Sequence, residues 1–323
     1  MAGEPILVVD DLQTEVQGRR GIGRAVDGVG FALAPGETLG IVGESGSGKS
    51  LTCLSLVRLN PTPGTRIVGG RVLLRGRDLL TLPDREMRRI RGRRIAMVLQ
   101  DPMSALNPVF TIGNQIGEVL HLHRDAHGAA ARALAVDLLR QLRIPDPERA
   151  LASYPHQYSG GMRQRAVGAI ALAGGPEVLI ADEPTTALDV TIQAAYLDLL
   201  RGLQRETGLA ILFVTHDFAV VARICDRVAV MYAGRIVETT SVAALFGDPL
   251  HPYTRALLAS LPDVERKPEK LDPIPGQPPS VFEPRVGCMF APRCPHADAR
   301  CRNEAPPEFA VDQGRTVRCW LHA

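Results

Sequence analysis

The sequence predicts an α/β fold with a mostly parallel sheet, and three observations predict it. Short apolar runs of strand length recur along the chain. Longer segments with helical periodicity separate these runs, and a glycine-rich turn joins one run to the helix that follows. Strands that alternate with helices imply crossover connections, which are typical of a parallel sheet.

The individual elements follow from these patterns. A strand buried on both faces is apolar at nearly every residue, as residues 38–42 are. The predicted strands are residues 6–9, 29–33, 38–42, 95–99, 178–181, 210–215 and 227–232. The predicted helices include residues 50–59, 129–142, 161–172 and 191–206. The basic run 85–94 is interpreted as a solvated helix face and a turn into the strand at 95–99.

Length and composition predict two domains. The chain has 323 residues, which suggests one large domain with an appendage. We place the large domain at residues 1–262, with an inserted helical subdomain at about 101–172, where no strand pattern occurs. Prolines then punctuate a linker, and residues 263–323 form this linker and a cysteine-rich C-terminal extension.

Charge and hydrophobicity argue against some classes of function. The formal net charge is +2, so no overall electrostatic feature indicates a nucleic-acid partner. The first residues lack the basic segment and apolar core of a signal peptide. The sequence has no uninterrupted apolar run of the roughly 20 residues that span a bilayer. If the protein acts at a membrane, we expect other chains to span it.

A phosphate-binding loop follows the buried strand at 38–42. Its eight residues match G-x-x-x-x-G-K-[ST] between a strand and a helix, and they are Gly43, Glu44, Ser45, Gly46, Ser47, Gly48, Lys49 and Ser50. The glycines let successive backbone N–H groups surround a polyphosphate, and the helix N-terminus favours negative charge. Lys49 is expected to reach the β- and γ-phosphates of the bound polyphosphate and Ser50 to coordinate Mg²⁺, with Leu51 next to them in the site.

Two further apolar strands end in polar residues. Asp182 and Glu183 follow the strand at 178–181, and His216 follows the strand at 210–215. Ligands of open α/β sheets bind at the carboxyl ends of the strands. We therefore predict that Asp182 holds Mg²⁺, that Glu183 is the general base for the attacking water, and that His216 contacts the γ-phosphate or positions that water.

A further motif makes the sequence similar to a known family. Residues 158–165 read Tyr-Ser-Gly-Gly-Met-Arg-Gln-Arg and closely resemble the signature of ABC ATPases, a class of P-loop NTPases. Gln100 matches the Q-loop, residues 187–189 the D-loop and His216 the H-loop, in the order of the family. The resemblance runs over roughly residues 5–260. It implies an ABC ATPase that hydrolyses ATP, with Gln100 as a further Mg²⁺ ligand and catalytic residue.

The same resemblance implies partner subunits. Two ABC ATPase domains pair head to tail, so the signature Ser159, Gly160, Gly161 and Met162, together with Asp189, is expected to serve a nucleotide bound mainly to the second ATPase subunit. Two transmembrane permease subunits and an extracytoplasmic substrate-binding protein complete such an importer, with this chain at the cytoplasmic face of the membrane.

Two positions depart from the family: Met162 replaces a common glutamine, and Val16 stands where an aromatic residue usually contacts adenine.

Six cysteines fall into two groups. Cys53 and Cys225 lie in apolar surroundings and are predicted to be small buried hydrophobic residues. The other four lack the close C-x-x-C pairs of a zinc ribbon, and they are Cys288, Cys294, Cys301 and Cys319. Four thiolates are sufficient for zinc or for an iron–sulfur cluster. Unmetallated thiols in a tail held by packing are the third alternative.

The C-terminal extension also indicates the subfamily. It resembles the tail of the ATPase subunits of dipeptide and oligopeptide importers, which nickel and glutathione importers share. The resemblance implies import of di- or oligopeptides and a 4Fe-4S cluster on the four C-terminal cysteines, with zinc as the alternative. Nickel or glutathione import, a soluble ABC ATPase acting on nucleic acid or ribosomes, and a redox-sensing iron–sulfur protein are the competing functions. Pairing with an identical or a different ATPase subunit stays open.

Overall fold

The structure is a computed structural model, and it describes residues 4–186, 188–261, 274–312 and 314–323. It confirms the α/β class. The strands are β1 Leu7–Gly18, β2 Gly21–Leu33, β3 Thr38–Val42, β4 Thr65–Leu74, β5 Arg77–Asp78, β6 Ile95–Val98, β7 Val178–Asp182, β8 Ala210–Val214, β9 Arg227–Tyr232, β10 Arg235–Ser241, β11 Phe309–Asp312 and β12 Arg315–Val317. The helices are α1 Lys49–Leu56, α2 Asp84–Ile90, α3 Pro102–Ala105, α4 Ile112–Arg124, α5 Gly128–Gln141, α6 Pro147–Ala150, α7 Gly160–Ala173, α8 Val190–Thr207, α9 Phe218–Ile224, α10 Val242–Gly247, α11 Pro252–Ala259 and α12 Ala299–Asn303.

The chain divides into two compact units. The first unit consists of Met1–Val8, Ala32–Thr38 and Val72–Thr215, and the second of Val9–Phe31, Leu39–Arg71 and His216–Ala323. Within the described ranges, no helix has both the length and the apolar character needed to cross a membrane.

The first unit contains a parallel arrangement of β6, β7 and β8. Ile95 pairs with Val178 at the start of β6, and Val178 in turn pairs with Ala210. Every residue of β7 and β8 is buried, which explains why both strands are almost continuously apolar. The parallel sheet predicted from the sequence is therefore present, and its strand order here is β6–β7–β8.

Helices fill the chain between β6 and β7. In the described part of this stretch all regular elements are helical, and α4, α5 and α7 pack against one another. The helix α7 then returns the chain to the sheet. At this return Glu177 and Val178 donate their backbone N–H groups to the carbonyl of Arg94, at 2.9 and 3.1 Å, which fixes the start of β7 beside β6.

The second unit combines a parallel pair with an antiparallel extension. Leu39 pairs with Arg227, so β3 and β9 run parallel. The strands β10, β12 and β11 continue outward from β9 and are all antiparallel to their neighbours. The two last strands come from the C-terminal extension. A small apolar core lies beside them and consists of Leu250, Val317 and Cys319 with Phe309 packed against it.

Most sequence-predicted elements are present with small changes at their ends. The strands β3 and β9 begin and end where they were predicted, whereas β1 and β2 are much longer than predicted. The basic run forms α2 and a turn before β6, as expected. The strands β4, β5, β10, β11 and β12 were not predicted. Residues 262–273, which include most of the proline-rich linker, lie outside the described residues.

The contact of Gly174 with the chain before β6 gives a stability prediction. A Cβ at Gly174 would lie 1.9 Å from the carbonyl oxygen of Gly92, whereas a Cβ at Gly117 would meet nothing within 4 Å. We expect Gly174→Ala to lower the free energy of unfolding by about 1–3 kcal/mol, since the backbone has to shift. Urea denaturation measures this free energy. The control Gly117→Ala, inside α4, should be at least as stable as the wild type. A Gly174→Ala variant as stable as Gly117→Ala would contradict the prediction.

Candidate active site

The phosphate loop connects β3 to α1, and close backbone approaches determine its glycines. Gly43 has φ 154°, and a Cβ there would lie 2.1 Å from the carbonyl oxygen of Met231. Gly48 has φ 105°, and its Cβ would lie 2.5 Å from the carbonyl oxygen of Ala25. Residues with a side chain rarely adopt these conformations and would not fit the space. The loop therefore keeps the compact path that a phosphate cradle requires.

Lys49 is buried at the centre of this loop. Its Nζ donates to the carbonyl oxygens of Gly43 at 2.7 Å and Glu44 at 3.0 Å. The hydroxyl of Ser47 is also buried, and it has no hydrogen-bond partner among the residues that the structure describes. A buried ammonium group and an unsatisfied hydroxyl beside exposed Ser50 fit a polyphosphate and its Mg²⁺. The donor set of the loop is thus suited to ATP.

The acidic pair lies at the end of β7 in the first unit. Asp182 is buried and ends the strand, and Glu183 follows it with φ 47°. The backbone N–H of Glu183 donates to the carbonyl of Val214 at 3.0 Å, which ties the residue to β8. A left-handed conformation costs a residue with a side chain about 1–3 kcal/mol and is characteristic of functional sites.

Gln100 and Glu183 were predicted separately and are brought together in the structure. The Nε2 of Gln100 donates to the Oε2 of Glu183 at 3.1 Å, and the hydroxyl of Thr186 donates to the same oxygen at 3.1 Å. One donor precedes Glu183 in the sequence and the other follows it, and together they orient its carboxylate. Thr186 was not predicted, although its position three residues after Glu183 is a spacing at which a hydroxyl can reach back.

The signature residues lie at an exposed helix N-terminus. Ser159 is the N-cap of α7, and its hydroxyl accepts from the backbone N–H of Met162 at 3.3 Å. Ser159 and Gly160 are both exposed. A Cβ at Gly161 would lie 2.7 Å from a methyl group of Ile192, so this glycine permits the start of α7 to contact α8. The positive end of a 14-residue helix is accessible here.

The remaining predicted residues occupy defined positions. Asp189 is the N-cap of α8 and accepts from the backbone N–H of Ile192 at 3.0 Å, a contact that the sequence analysis did not predict. Ala187, in the D-loop match, lies outside the described residues. His216 is exposed. Gln100, the acidic pair, the signature and Asp189 belong to the first unit, and the phosphate loop and His216 belong to the second.

The four C-terminal cysteines line one cavity of about 20 Å³ together with His251 and His296. The backbone N–H of Cys288 donates to the carbonyl of Cys301 at 2.7 Å. Burial raises the pKa of all four thiols, that of Cys288 to about 11. Burial lowers the pKa of His251 to about 3, so its ring is neutral. Cys53 and Cys225 are buried apolar residues, as predicted.

No single-ion metal site is formed by these groups. Across residues 4–186, 188–261, 274–312 and 314–323, no three His, Cys, Asp or Glu side chains are gathered closely enough to hold one metal ion. All six cysteines are free thiols. The iron–sulfur cluster and the zinc alternative therefore gain no support from this arrangement beyond the convergence of four thiols on one cavity.

Comparisons with known proteins identify the family. The ABC transporter family model matches residues 26–186, and the model of the C-terminal region of oligopeptide/dipeptide transporters matches residues 237–301. A probable peptide ABC transporter ATP-binding protein of Sinorhizobium fredii is 54% identical over 98% of this chain and 94% of its own length. A dipeptide transport ATP-binding protein of Bacillus subtilis is 48% identical over 98% of this chain and 95% of its own length.

Solved structures show the same cassette. A dimeric ATP-binding cassette in a post-hydrolysis state with ADP and Pi superimposes with a TM-score of 0.66 at 27% identity and covers 73% of this chain and 98% of its own. The CbiO1 subunit from Clostridium perfringens has a TM-score of 0.64 at 25% identity, over 76% of this chain and 92% of its own.

The fold and the phosphate loop define an ATP-hydrolysing ABC cassette. More specifically, the chain belongs to the family of ATP-binding proteins of peptide and dipeptide ABC transporters.

Proposed function

We propose that this chain couples ATP hydrolysis to the uptake of di- and oligopeptides across the cytoplasmic membrane. The observation that carries the substrate class is the match of residues 237–301 to the oligopeptide/dipeptide transporter C-terminal region. The relatives with nearly full-length similarity are named as peptide and dipeptide transport proteins. Nickel and glutathione import have no comparable support among these relatives, and neither has a role on nucleic acid or ribosomes.

The phosphate loop is assigned the binding of the triphosphate. Lys49 would release its bonds to two loop carbonyls and donate to the β- and γ-phosphates, and the Ser47 hydroxyl would gain a partner. Mg²⁺, held by Ser50, Gln100 and Asp182, would neutralise the charge that develops during phosphoryl transfer. Gly43 and Gly48 keep the backbone N–H groups directed at the ligand. These features support ATP as the substrate of the loop.

Glu183 is assigned the role of general base. Its carboxylate accepts from Gln100 and Thr186, and the backbone is held in a left-handed conformation by the bond to Val214. A carboxylate fixed in this way can polarise a water molecule for attack on the γ-phosphate. His216 would hold that water or the γ-phosphate. The fixed orientation of the carboxylate is the feature that supports this role.

The signature is assigned to a partner nucleotide. Ser159 and Gly160 are exposed at the N-terminus of α7, where backbone donors can meet a phosphate of a second ATPase subunit. Asp189 would stabilise the same interface while it caps α8. Two permease subunits would span the membrane, a substrate-binding protein would deliver the peptide, and this chain would lie at the cytoplasmic face.

Substitution of Glu183 tests the catalytic assignment. We expect Glu183→Gln to lower the rate of phosphate release by about 10²–10⁴-fold while ATP still binds, since the loop is intact and the base is lost. Phosphate release and equilibrium binding of labelled ATP measure the two effects. The matched variant Lys49→Ala should weaken binding itself. Substantial hydrolysis by Glu183→Gln would contradict the role of Glu183.

Uptake measurements test the substrate. Deletion of the gene for this chain in its native organism should abolish accumulation of a labelled dipeptide. Expression of the wild-type chain should restore accumulation, and expression of Glu183→Gln should not. Labelled tripeptide, nickel and glutathione are measured in the same cells. Loss of nickel or glutathione uptake with unchanged peptide uptake would overturn the peptide assignment and leave the ATPase assignment intact.

We also propose that the four C-terminal cysteines bind a 4Fe-4S cluster. Their convergence on one cavity supports the donor set, because each iron of a cubane takes a single protein thiolate, so three protein side chains need not meet at one ion. The cavity of about 20 Å³ holds little more than one water molecule, so its walls would have to move apart. The raised pKa values of the thiols mean that binding would release protons.

Metal analysis of anaerobically purified protein tests the cluster. We expect stoichiometric iron and sulfide with a broad visible absorption band, and we expect Cys294→Ser to lose them together with thermal stability. Cys53→Ser is the control, since Cys53 lies apart in the core. Zinc in place of iron would establish the alternative ion. Absence of both, with unchanged stability of Cys294→Ser, would show that the thiols serve packing alone.

A further inference from the structure

Arg293 of the C-terminal extension reaches the phosphate loop. Its Nη1 lies 2.7 Å from Oε2 of Glu44 and its Nη2 lies 3.0 Å from Oε1, so the two groups form a bidentate pair. The Arg293 side chain is 3% exposed and that of Glu44 is 27% exposed. The planar guanidinium matches a carboxylate in this geometry, and the two bonds fix both side chains.

The other contacts of Arg293 hold it in place for this pair. Its Nε donates to the carbonyl of Pro275 at 2.9 Å, and Nη1 also donates to the hydroxyl of Tyr232 at 3.3 Å. The guanidinium carbon lies 5.8 Å from the ring centre of Tyr232 and 5.9 Å from that of Phe290. Little conformational freedom remains for Arg293 to lose when it pairs with Glu44.

Glu44 is connected to the centre of the loop by its backbone. Its N–H donates to the hydroxyl of buried Tyr253 at 2.9 Å, and its carbonyl accepts from the Nζ of Lys49 at 3.0 Å. The same residue therefore contacts the extension through its side chain and the phosphate-binding lysine through its backbone. Without Arg293, its carboxylate would be an uncompensated negative charge in a loop that binds an anion.

We propose that Arg293 is a positioning residue for the phosphate loop. It neutralises Glu44 and fixes the loop path, so that nucleotide affinity depends on the C-terminal extension. The adjacent Cys294 and the nearby Phe290 line the cysteine cavity, which places that cavity and the loop on one short segment. The inference rests on the proposed ATPase function and adds a residue outside the phosphate loop and the hydrolysis residues.

Replacement of Arg293 in the full chain tests this role. We expect Arg293→Gln to raise the Kd for Mg-ATP and the KM by about tenfold or more, with kcat nearly unchanged, because the lost interaction acts on binding. Arg293→Lys retains the charge and should lose less. Arg300→Gln removes the same charge from the same extension, where Arg300 pairs with Glu304 and lies over Trp320, and should bind like the wild type.

The double variant Glu44→Gln/Arg293→Gln distinguishes charge from packing. Removal of the Glu44 carboxylate should recover most of the ATP affinity lost in Arg293→Gln. Higher ionic strength should narrow the difference in affinity between Arg293→Gln and the double variant. Thermal unfolding is measured for each variant. If Arg293→Gln does not fold, the ATP affinity of the double variant is compared with that of the wild type. A double variant that binds as weakly as Arg293→Gln would overturn the inference, as would wild-type affinity of folded Arg293→Gln. A wild-type chain that binds no ATP would refute the proposed function instead.

Discussion

The compact path of the phosphate loop is the constraint on which the second unit depends. A cradle for a polyphosphate needs backbone donors directed at one point, and the chain achieves this by bringing Gly43 against Met231 and Gly48 against Ala25. These approaches exclude a Cβ, which explains the glycines. Lys49 donates to the carbonyl oxygens of Gly43 and Glu44 within this loop. The neighbouring elements β3, α1 and β9 are arranged so that this path is possible.

A second kind of constraint acts in the first unit. Glu183 has a left-handed backbone conformation, which is unfavourable for a residue with a side chain. A backbone hydrogen bond to β8 offsets this cost. Gln100 and Thr186 then fix the carboxylate. The strand order explains this contact. Because β6 and β7 are paired and parallel, Gln100 after β6 and Glu183 after β7 lie at the same edge of the sheet.

Local patterns allowed much of the fold to be predicted, and long-range contacts account for the rest. The apolar run of β3 and the glycine spacing after it are properties of a few consecutive residues, so they predicted strand, turn and helix together. The strands β11 and β12 have only four and three residues, and Val317 is the one buried residue among them, so no periodic signal marked them. Arg293 and Glu44 lie 249 positions apart, and no local pattern relates them. The φ of Glu183 depends on its bond to Val214, which only the folded chain contains.

The antiparallel strands of the extension have one further consequence. Since β12 pairs with β10 and β11 pairs with β12, they cover an edge of the second unit that β10 would otherwise present to the surroundings. An uncovered strand offers a row of unsatisfied N–H and C=O groups on which another chain can assemble. Without residues 309–317, the seven-residue strand β10 would become the edge strand to which another chain can pair, whereas the edge strand of the intact protein, β11, has four residues.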